Sequence, residues 1–198
     1  MSGLPSPAKL KLYSYPVSRG RIIEWLLKEH GKEADVEIVN VDLREKEHKS
    51  AEFRAINPFG KLPALVDGDM KLFESGAILI HLAHKWGEFK TPEDRSVAEQ
   101  WALFANSTLA DSVFVEQRRD QSMPDVFSAL DEILAKQPYI AGSSFTVSDV
   151  AVGSCLLYIR VYLPQLDLKP YPHVVAYMQR MAERPACAAT VAAKPPQP

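Results

Sequence analysis

Apolar and polar positions alternate at the start of the chain, shift to a three-and-four spacing, and then alternate again. "KLKLYSY" (9–15) interleaves β-formers with polar residues and predicts a first strand. In "SRGRIIEWLLKEHG" (18–31) Ile22, Ile23, Leu26 and Leu27 fall on one helical face, with Ser18 suited to the N-cap and Gly31 to the stop. "VEIVNVDL" (36–43) alternates once more. A helix between two strands makes a βαβ unit with parallel strands and a right-handed crossover. A short charged helix over about 48–55 follows. "PALVDG" and "MKLFE" then form two strands around the turn Asp67-Gly68-Asp69, and a helix opens at Ser75. The order β-α-β-α-β-β-α predicts a small α/β domain over residues 1–84.

Past a linker at 85–91 the pattern changes. Thr91-Pro92-Glu93-Asp94 is a complete helix start: a capping hydroxyl, a proline at the first position, and acids in the first turn. No strand pattern follows. Residues 92–119, 123–136, 146–163 and 171–183 all carry helical periodicity, which predicts an all-helical domain over 92–190 and a frayed tail at 191–198. "FTVSDV" holds a capping box, Thr146 with Asp149, flanked by Phe145 and Val150 at the spacing of a hydrophobic staple. The helix that it opens is apolar nearly all round, as a buried central helix would be.

Composition narrows the function. The 198 residues are 46% apolar, enough for a real core. A net charge of −2, spread along the chain, argues against a nucleic-acid partner. No apolar run reaches the ~20 residues of a membrane span, and "MSGLPSPAKLKLY" has no signal-like segment, so a cytoplasmic protein is expected. Cys155 and Cys187 read as reduced, inert thiols inside helices. His81 and His84 lie three apart on a helix, but no carboxylate or thiolate partner has matching spacing, so no metal is expected.

The stretch "NPFGKLPALVDGDMKLFESGA" (57–77) carries the functional signal. Pro63 stands where a strand begins, although proline cannot donate to a ladder. A cis bond before it would turn the backbone so that the N–H and C=O of Leu62 face outward, free to pair with an extended peptide. Twelve residues on, Glu74-Ser75 marks a strand-to-helix junction. The unpaired N–H groups there suit a carboxylate, and Glu74 suits an ammonium. Lys61 and the pair His48-Lys49 add cations for a second carboxylate. The ensemble reads as a receptor for a small peptide.

"EHKSAEFRAINPFGKLPALVDGDMKLFESGAI", "FTVSDV" and "YPHVVAYMQRMAERPA" together resemble the cytosolic glutathione S-transferases, most closely the serine-type phi and theta classes. The likeness spans about residues 9–190. It implies a thioredoxin-like first domain and a helical second domain. It also implies that His48, Lys49 and Lys61 meet the glycine end of glutathione, that Leu62 before Pro63 clasps its cysteine, and that Glu74 and Ser75 hold its γ-glutamyl group. A homodimer conjugating glutathione to hydrophobic electrophiles bound between the domains, in the manner of detoxification enzymes, is the expected function, with peroxide reduction as a second activity. Phe59 is either core or a contact with the neighbouring subunit. The alternative is a non-catalytic module of the same shape, as in elongation-factor and synthetase assemblies.

"YSYPVSRGR" (13–21) offers several hydroxyls to activate the glutathione thiol. Ser18 is favoured: it precedes the helix and matches the serine of members with "FPGSR"-like starts. Tyr15, four residues before Arg19-Gly20-Arg21, is the runner-up, as in tyrosine-type classes, and Ser14 comes third. The absence of cysteine in this stretch argues against the cysteine-type thiol transferases.

Overall fold

The computed structural model describes residues 9–193. The described residues divide into two units between Ile78 and Leu79. Residues 1–8 and 194–198, with the unsignalled start and most of the expected tail, lie outside the described residues; Val191, assigned to that tail, is buried.

The first unit is built on a four-stranded sheet of order β2-β1-β3-β4. Strand β1 (Leu10–Ser14) pairs parallel with β2 (Val36–Asn40). It pairs antiparallel with β3 (Ala64–Asp67), which forms a hairpin with β4 (Met70–Phe73). The parallel pair is joined by α1 (Gly20–Glu29), whose Ile22, Ile23, Leu26 and Leu27 are buried together with Trp25. Each such side chain contributes roughly 1.5–3 kcal/mol on leaving water. Trp25 was not assigned to the buried face. Its indole N–H donates to Glu29 Oε1 at 2.7 Å, so the polar edge of the ring is satisfied while the body is buried.

Two local readings are refined. Helix α1 starts at Gly20 with Arg19 at the N-cap, rather than at Ser18. The charged stretch near 48–55 is a 3₁₀ turn, Glu47–Lys49, followed by the single helical turn α2 (Ala51–Arg54). Ser50 caps α2 by accepting from Phe53 N–H. Helix α3 (Ser75–Lys85) begins directly after β4 and continues across the division between the units.

Among its described residues the second unit is helical apart from turns and an isolated bridge between Tyr139 and Gly142. Helix α4 (Pro92–Phe104) is capped by Thr91, with Asp94 completing a capping box. It runs through a π-helical turn, Ala105–Leu109, into α5 (Ala110–Phe114). Val115 then adopts an extended conformation, and α6 (Glu116–Leu134) passes through Pro124. The expected break near residue 120 is therefore at Val115 instead. Proline removes one helical hydrogen bond, but Met123, Phe127, Leu130 and Leu134 form a continuous buried row that carries the helix past it.

Helix α7 (Val147–Tyr162) is buried along most of its length and opens on the Thr146–Asp149 capping box. Asp149 does more than cap. Its Oδ1 also accepts from Ile140 N–H at 2.8 Å and from the hydroxyl of Tyr177, on α8 (Pro172–Ala182), at 2.9 Å. A further non-local cap lies at the start of α8, where Asp131 Oδ1 accepts from the N–H groups of His173 and Val174. Cys155 in α7 and Cys187 in α9 (Pro185–Ala188) are both buried.

Candidate functional site

Sheet register determines which loops meet. Tyr13 pairs with Ala64, and Ala64 pairs with Phe73. The residues just after Tyr13, just before Ala64 and just after Phe73 therefore emerge at one end of the sheet. These are Ser14 to Ser18, then Leu62 and Pro63, then Glu74 and Ser75. Strand β2 ends there too, because Val41 N–H donates to Ser14 C=O at 3.0 Å, and the chain leads on to His48 and Lys49. The residues singled out in the sequence thus cluster around one end of the sheet.

The Leu62–Pro63 peptide bond is cis. Leu62 stands ahead of the ladder, which begins at Ala64, while its side chain packs with Tyr13 and Ile56 against Val41, Phe53 and Ala64. An aromatic edge-to-face contact between Tyr13 and Phe53, centroids 5.8 Å apart, stiffens this cluster. Leu62 is held by its side chain while its backbone lies outside the sheet.

Asn57 organises the loop before it and escaped the sequence reading. It is 2% exposed, donates from Nδ2 to Lys61 C=O at 2.7 Å, and accepts from Phe59 N–H at Oδ1. Gly60 N–H closes a turn onto Asn57 C=O. Gly60 has φ +57° and lies against the His48 carbonyl, with Lys49 Nζ donating to Gly60 C=O at 2.8 Å. His48, Lys49 and Lys61 are gathered around one glycine. The Asn-Pro-x-Gly turn chemistry was the available signal for Asn57.

His48 Nδ1 is buried and has no hydrogen-bond partner among the described residues. Burial first, then the positive charges of Lys49 and Arg54, hold the His48 pKa below its ordinary value, so the ring is neutral at pH 7. A buried nitrogen without a partner is an unmet donor or acceptor that a ligand can satisfy.

Glu74 is exposed and takes φ +70°, a left-handed conformation that costs a non-glycine residue roughly 1–2 kcal/mol. Strained backbone of this kind concentrates at ligand sites. Ser75, 3% exposed, begins α3, whose first N–H groups have no partner within the helix.

The three hydroxyl candidates differ sharply. Ser14 is 2% exposed and donates to Glu24 Oε1 at 2.8 Å, while Arg21 neutralises Glu24 at 2.6 Å, so its proton is committed inside the fold. Tyr15 is half-buried, with the guanidinium of Arg44 6.0 Å from its ring centroid. Arg44 is in turn fixed by Asp42, whose pKa its hydrogen bonds lower to about 2. Ser18 is half-buried. Its Oγ accepts from Tyr15 N–H at 3.0 Å and Gly20 N–H at 3.1 Å and donates to Tyr15 C=O at 2.8 Å. The two hydrogen bonds that its oxygen accepts polarise this hydroxyl and make it the stronger donor. It also stands one residue before the N-cap of α1, at the positive end of the helix dipole.

Family models for the glutathione S-transferase N-terminal and C-terminal domains match residues 8–84 and 113–185. The chain is 36% identical to glutathione S-transferase 3 of Zea mays, over 96% of this chain and 97% of that relative. It is 28% identical to the disulfide-bond oxidoreductase YfcG of Escherichia coli, over 89% and 92% of the two chains. Among solved structures it is similar to a theta class glutathione S-transferase from Xanthomonas axonopodis with glutathione bound, with a TM-score of 0.75, 26% identity, and coverage of 96% and 99%. The sheet, the loops gathered at its edge and these likenesses agree: the chain belongs to the glutathione S-transferase family.

Proposed function

We infer that this protein is a glutathione transferase, which binds glutathione along the loops at the sheet edge, stabilises its thiolate, and adds it to a hydrophobic electrophile. The observation that carries the reading is the clustering of His48, Lys49 and Lys61 around Gly60, beside a Leu62 whose backbone is left out of the sheet. In this reading the cations Lys49 and Lys61 take the glycine carboxylate, with the orphan nitrogen of His48 as a further partner. The backbone of Leu62 pairs with the cysteine residue. Glu74 and the N–H groups at Ser75 take the ammonium and carboxylate of the γ-glutamyl end.

Ser18 is the proposed catalytic residue. A free thiol has a pKa near 8.5, and lowering it by about 2 units requires about 2.7 kcal/mol of selective thiolate stabilisation. A hydrogen bond to a charged group contributes about 1.5–3 kcal/mol, and a helix N-terminus adds about 0.3–1 kcal/mol. Together these are sufficient without a protein thiol. To donate to sulfur, the Ser18 proton turns away from the Tyr15 carbonyl by rotation about the Cβ–Oγ bond. The protein would act as a cytosolic homodimer, with the exposed ring of Phe59, packed edge-on against Phe73, offered to the second subunit.

The same thiolate would reduce hydroperoxides. The Escherichia coli relative named as a disulfide-bond oxidoreductase supports a second reading, thiol–disulfide exchange with glutathione supplying the thiol. Cys155 and Cys187, 7% and 0% exposed, would take no part. A non-catalytic assembly module is disfavoured, because the chain matches enzymes over nearly its whole length.

The test is retention on immobilised glutathione together with turnover of a chlorinated nitroaromatic and of a glutathione mixed disulfide. Retention with aryl conjugation supports the transferase. Retention with disulfide turnover alone moves the assignment to the second reading, and neither binding nor turnover rejects both.

A further inference from the structure

We propose that Arg44 is a specificity-determining residue for the second substrate: it selects electrophiles that carry a carboxylate on a flat apolar body, by holding that carboxylate beside Tyr15 while the thiolate attacks. This rests on the transferase reading above and adds to it the class of electrophile.

Arg44 stands in the loop after β2, and its guanidinium lies 6.0 Å from the ring centroid of Tyr15, at the outer limit of a cation–π contact. Tyr15 shares a turn with Ser18, whose N–H and hydroxyl both donate to Tyr15 C=O at 2.8 Å. The guanidinium is thus one tyrosine side chain away from the hydroxyl assigned to the sulfur. Val17, in the same turn, is half exposed and adds apolar surface to it.

One edge of the guanidinium is already used. Nε and Nη2 donate to the two carboxylate oxygens of Asp42 at 3.3 and 2.9 Å, and among the described residues Nη1 has no hydrogen-bond partner. The edge that remains carries one N–H from each terminal nitrogen, at the spacing of a second carboxylate. Asp42 offsets the long-range charge of Arg44, so the preference comes from paired donors rather than from the field of a lone cation.

The loop is braced before any substrate arrives. Asp42 Oδ1 accepts from Arg44 N–H at 2.8 Å, Asp42 N–H donates to Glu47 Oε2 at 2.6 Å, and Glu47 N–H donates to Asp42 C=O at 3.1 Å. Lys46 closes the turn with φ +58°. Among the described residues only Lys46 and Glu74 combine a side chain with a left-handed backbone, and Glu74 is one of the residues assigned to glutathione. Strain of this kind concentrates where a site uses it, and donors fixed in advance lower the ordering cost of binding.

The test compares 4-chloro-3,5-dinitrobenzoate with its neutral amide, 4-chloro-3,5-dinitrobenzamide, at saturating glutathione. In both, the electron pair of the sulfur forms the C–S bond at the chlorinated carbon, and chloride leaves with the bonding pair. The two differ in the group offered to Arg44, and their intrinsic reactivities cancel when wild type is compared with a variant. In Arg44→Gln the benzoate-to-amide ratio of kcat/KM is expected to fall about tenfold, mainly through the KM of the benzoate, with amide turnover and the KM for glutathione unchanged. Arg44→Lys keeps the charge without the paired donors and should recover only part of the ratio. Lys11→Gln, which removes an exposed charge paired with Glu37 on the sheet, should leave the ratio as it is. The Arg44 side chain is 66% exposed, so both of its variants should fold. The proposal is overturned if the ratio is unchanged in Arg44→Gln, if Lys11→Gln lowers it equally, or if Arg44→Gln raises the KM for glutathione, which would assign the arginine to the other substrate. Turnover of the amide with an unchanged ratio overturns this proposal alone; if wild type turns over neither compound, the transferase reading falls with it.

Discussion

A β-carbon built on Gly60 would stand 2.6 Å from the carbonyl oxygen of His48, closer than real side chains approach backbone oxygen. The two loops that bring cations to the site are thus in contact through a residue with no side chain. The positive φ of Gly60 adds a second demand for glycine.

Gly60→Ala should therefore impair the site beyond its effect on the fold. Left-handed strain alone costs roughly 1–2 kcal/mol, and the clash pushes the His48 loop outward. A loss of about 2 kcal/mol or more in urea unfolding is expected, with a raised KM for glutathione. A variant with wild-type KM would show that these loops need no close approach.

The three hydroxyls make distinct predictions for the pKa of bound glutathione, read by thiolate absorbance. Ser18→Ala should raise it by more than about one unit, a loss of about 1.4 kcal/mol of thiolate stabilisation. Tyr15→Phe should leave it nearly unchanged. Ser14→Ala should lower stability instead, because it removes the donor to Glu24. Ser18→Thr keeps the hydroxyl that accepts from the N–H groups of Tyr15 and Gly20 and that would donate to sulfur, so a low thiol pKa retained there assigns the effect to the hydroxyl. An effect confined to Tyr15→Phe would transfer the catalytic role to tyrosine.

His48 gives a pH dependence of known sign. Its folded pKa lies below the ordinary 6.5, so below that pH the unfolded chain takes up a proton before the folded chain does. The contribution of this site to stability is fully present above 6.5 and falls as pH drops through the depressed pKa. A carboxylate bound beside the ring reverses the preference by favouring the charged form. S-methylglutathione, which has no thiol to titrate, should bind more tightly at pH 6 than at pH 7.5, with proton uptake visible by calorimetry in two buffers. The slope should vanish in His48→Gln.

Asp149 ties three segments together, so its loss should be costly. Asp149→Ala leaves the N–H groups of Ile140 and Thr146 and the Tyr177 hydroxyl without their acceptor, and about 3 kcal/mol or more of destabilisation is expected. Tyr177→Phe removes one bond only and should cost about 1.5 kcal/mol. Burial raises the Asp149 pKa despite these bonds. The folded chain thus keeps a proton there that the unfolded chain has released, and this site gains stability as pH falls toward 3.8. Asp149→Asn should remove that slope from urea unfolding measured across pH.

Features fixed by near neighbours in the chain were legible in the sequence. The hairpin at Gly68, the helix start at Thr91 and the Thr146–Asp149 box each depend on residues within a few positions of one another, and each is present. Features that depend on distant partners were not. Thr146 predicts Asp149 as a cap, but nothing local announces Tyr177, 28 residues away, as its third donor. Ser14 and Ser18 look alike in "YSYPVSRGR", and only the approach of Glu24 separates a committed hydroxyl from a turned one. Asn57 was hidden for the same reason, since burial decides its role and burial is a property of the fold. The helix break falls at Val115, where the backbone turns extended, and the buried row Met123, Phe127, Leu130 and Leu134, a property of tertiary packing, carries α6 past Pro124.

The packing of Ser14 against Gly20 and Glu24 also limits how this scaffold can be re-engineered. A cysteine introduced at position 14 would have its sulfur enclosed, pressed toward the start of α1 and beside a carboxylate that opposes ionisation. A route from hydroxyl-assisted conjugation to mixed-disulfide chemistry on this chain therefore leads through position 18, where the side chain already faces helix N–H groups.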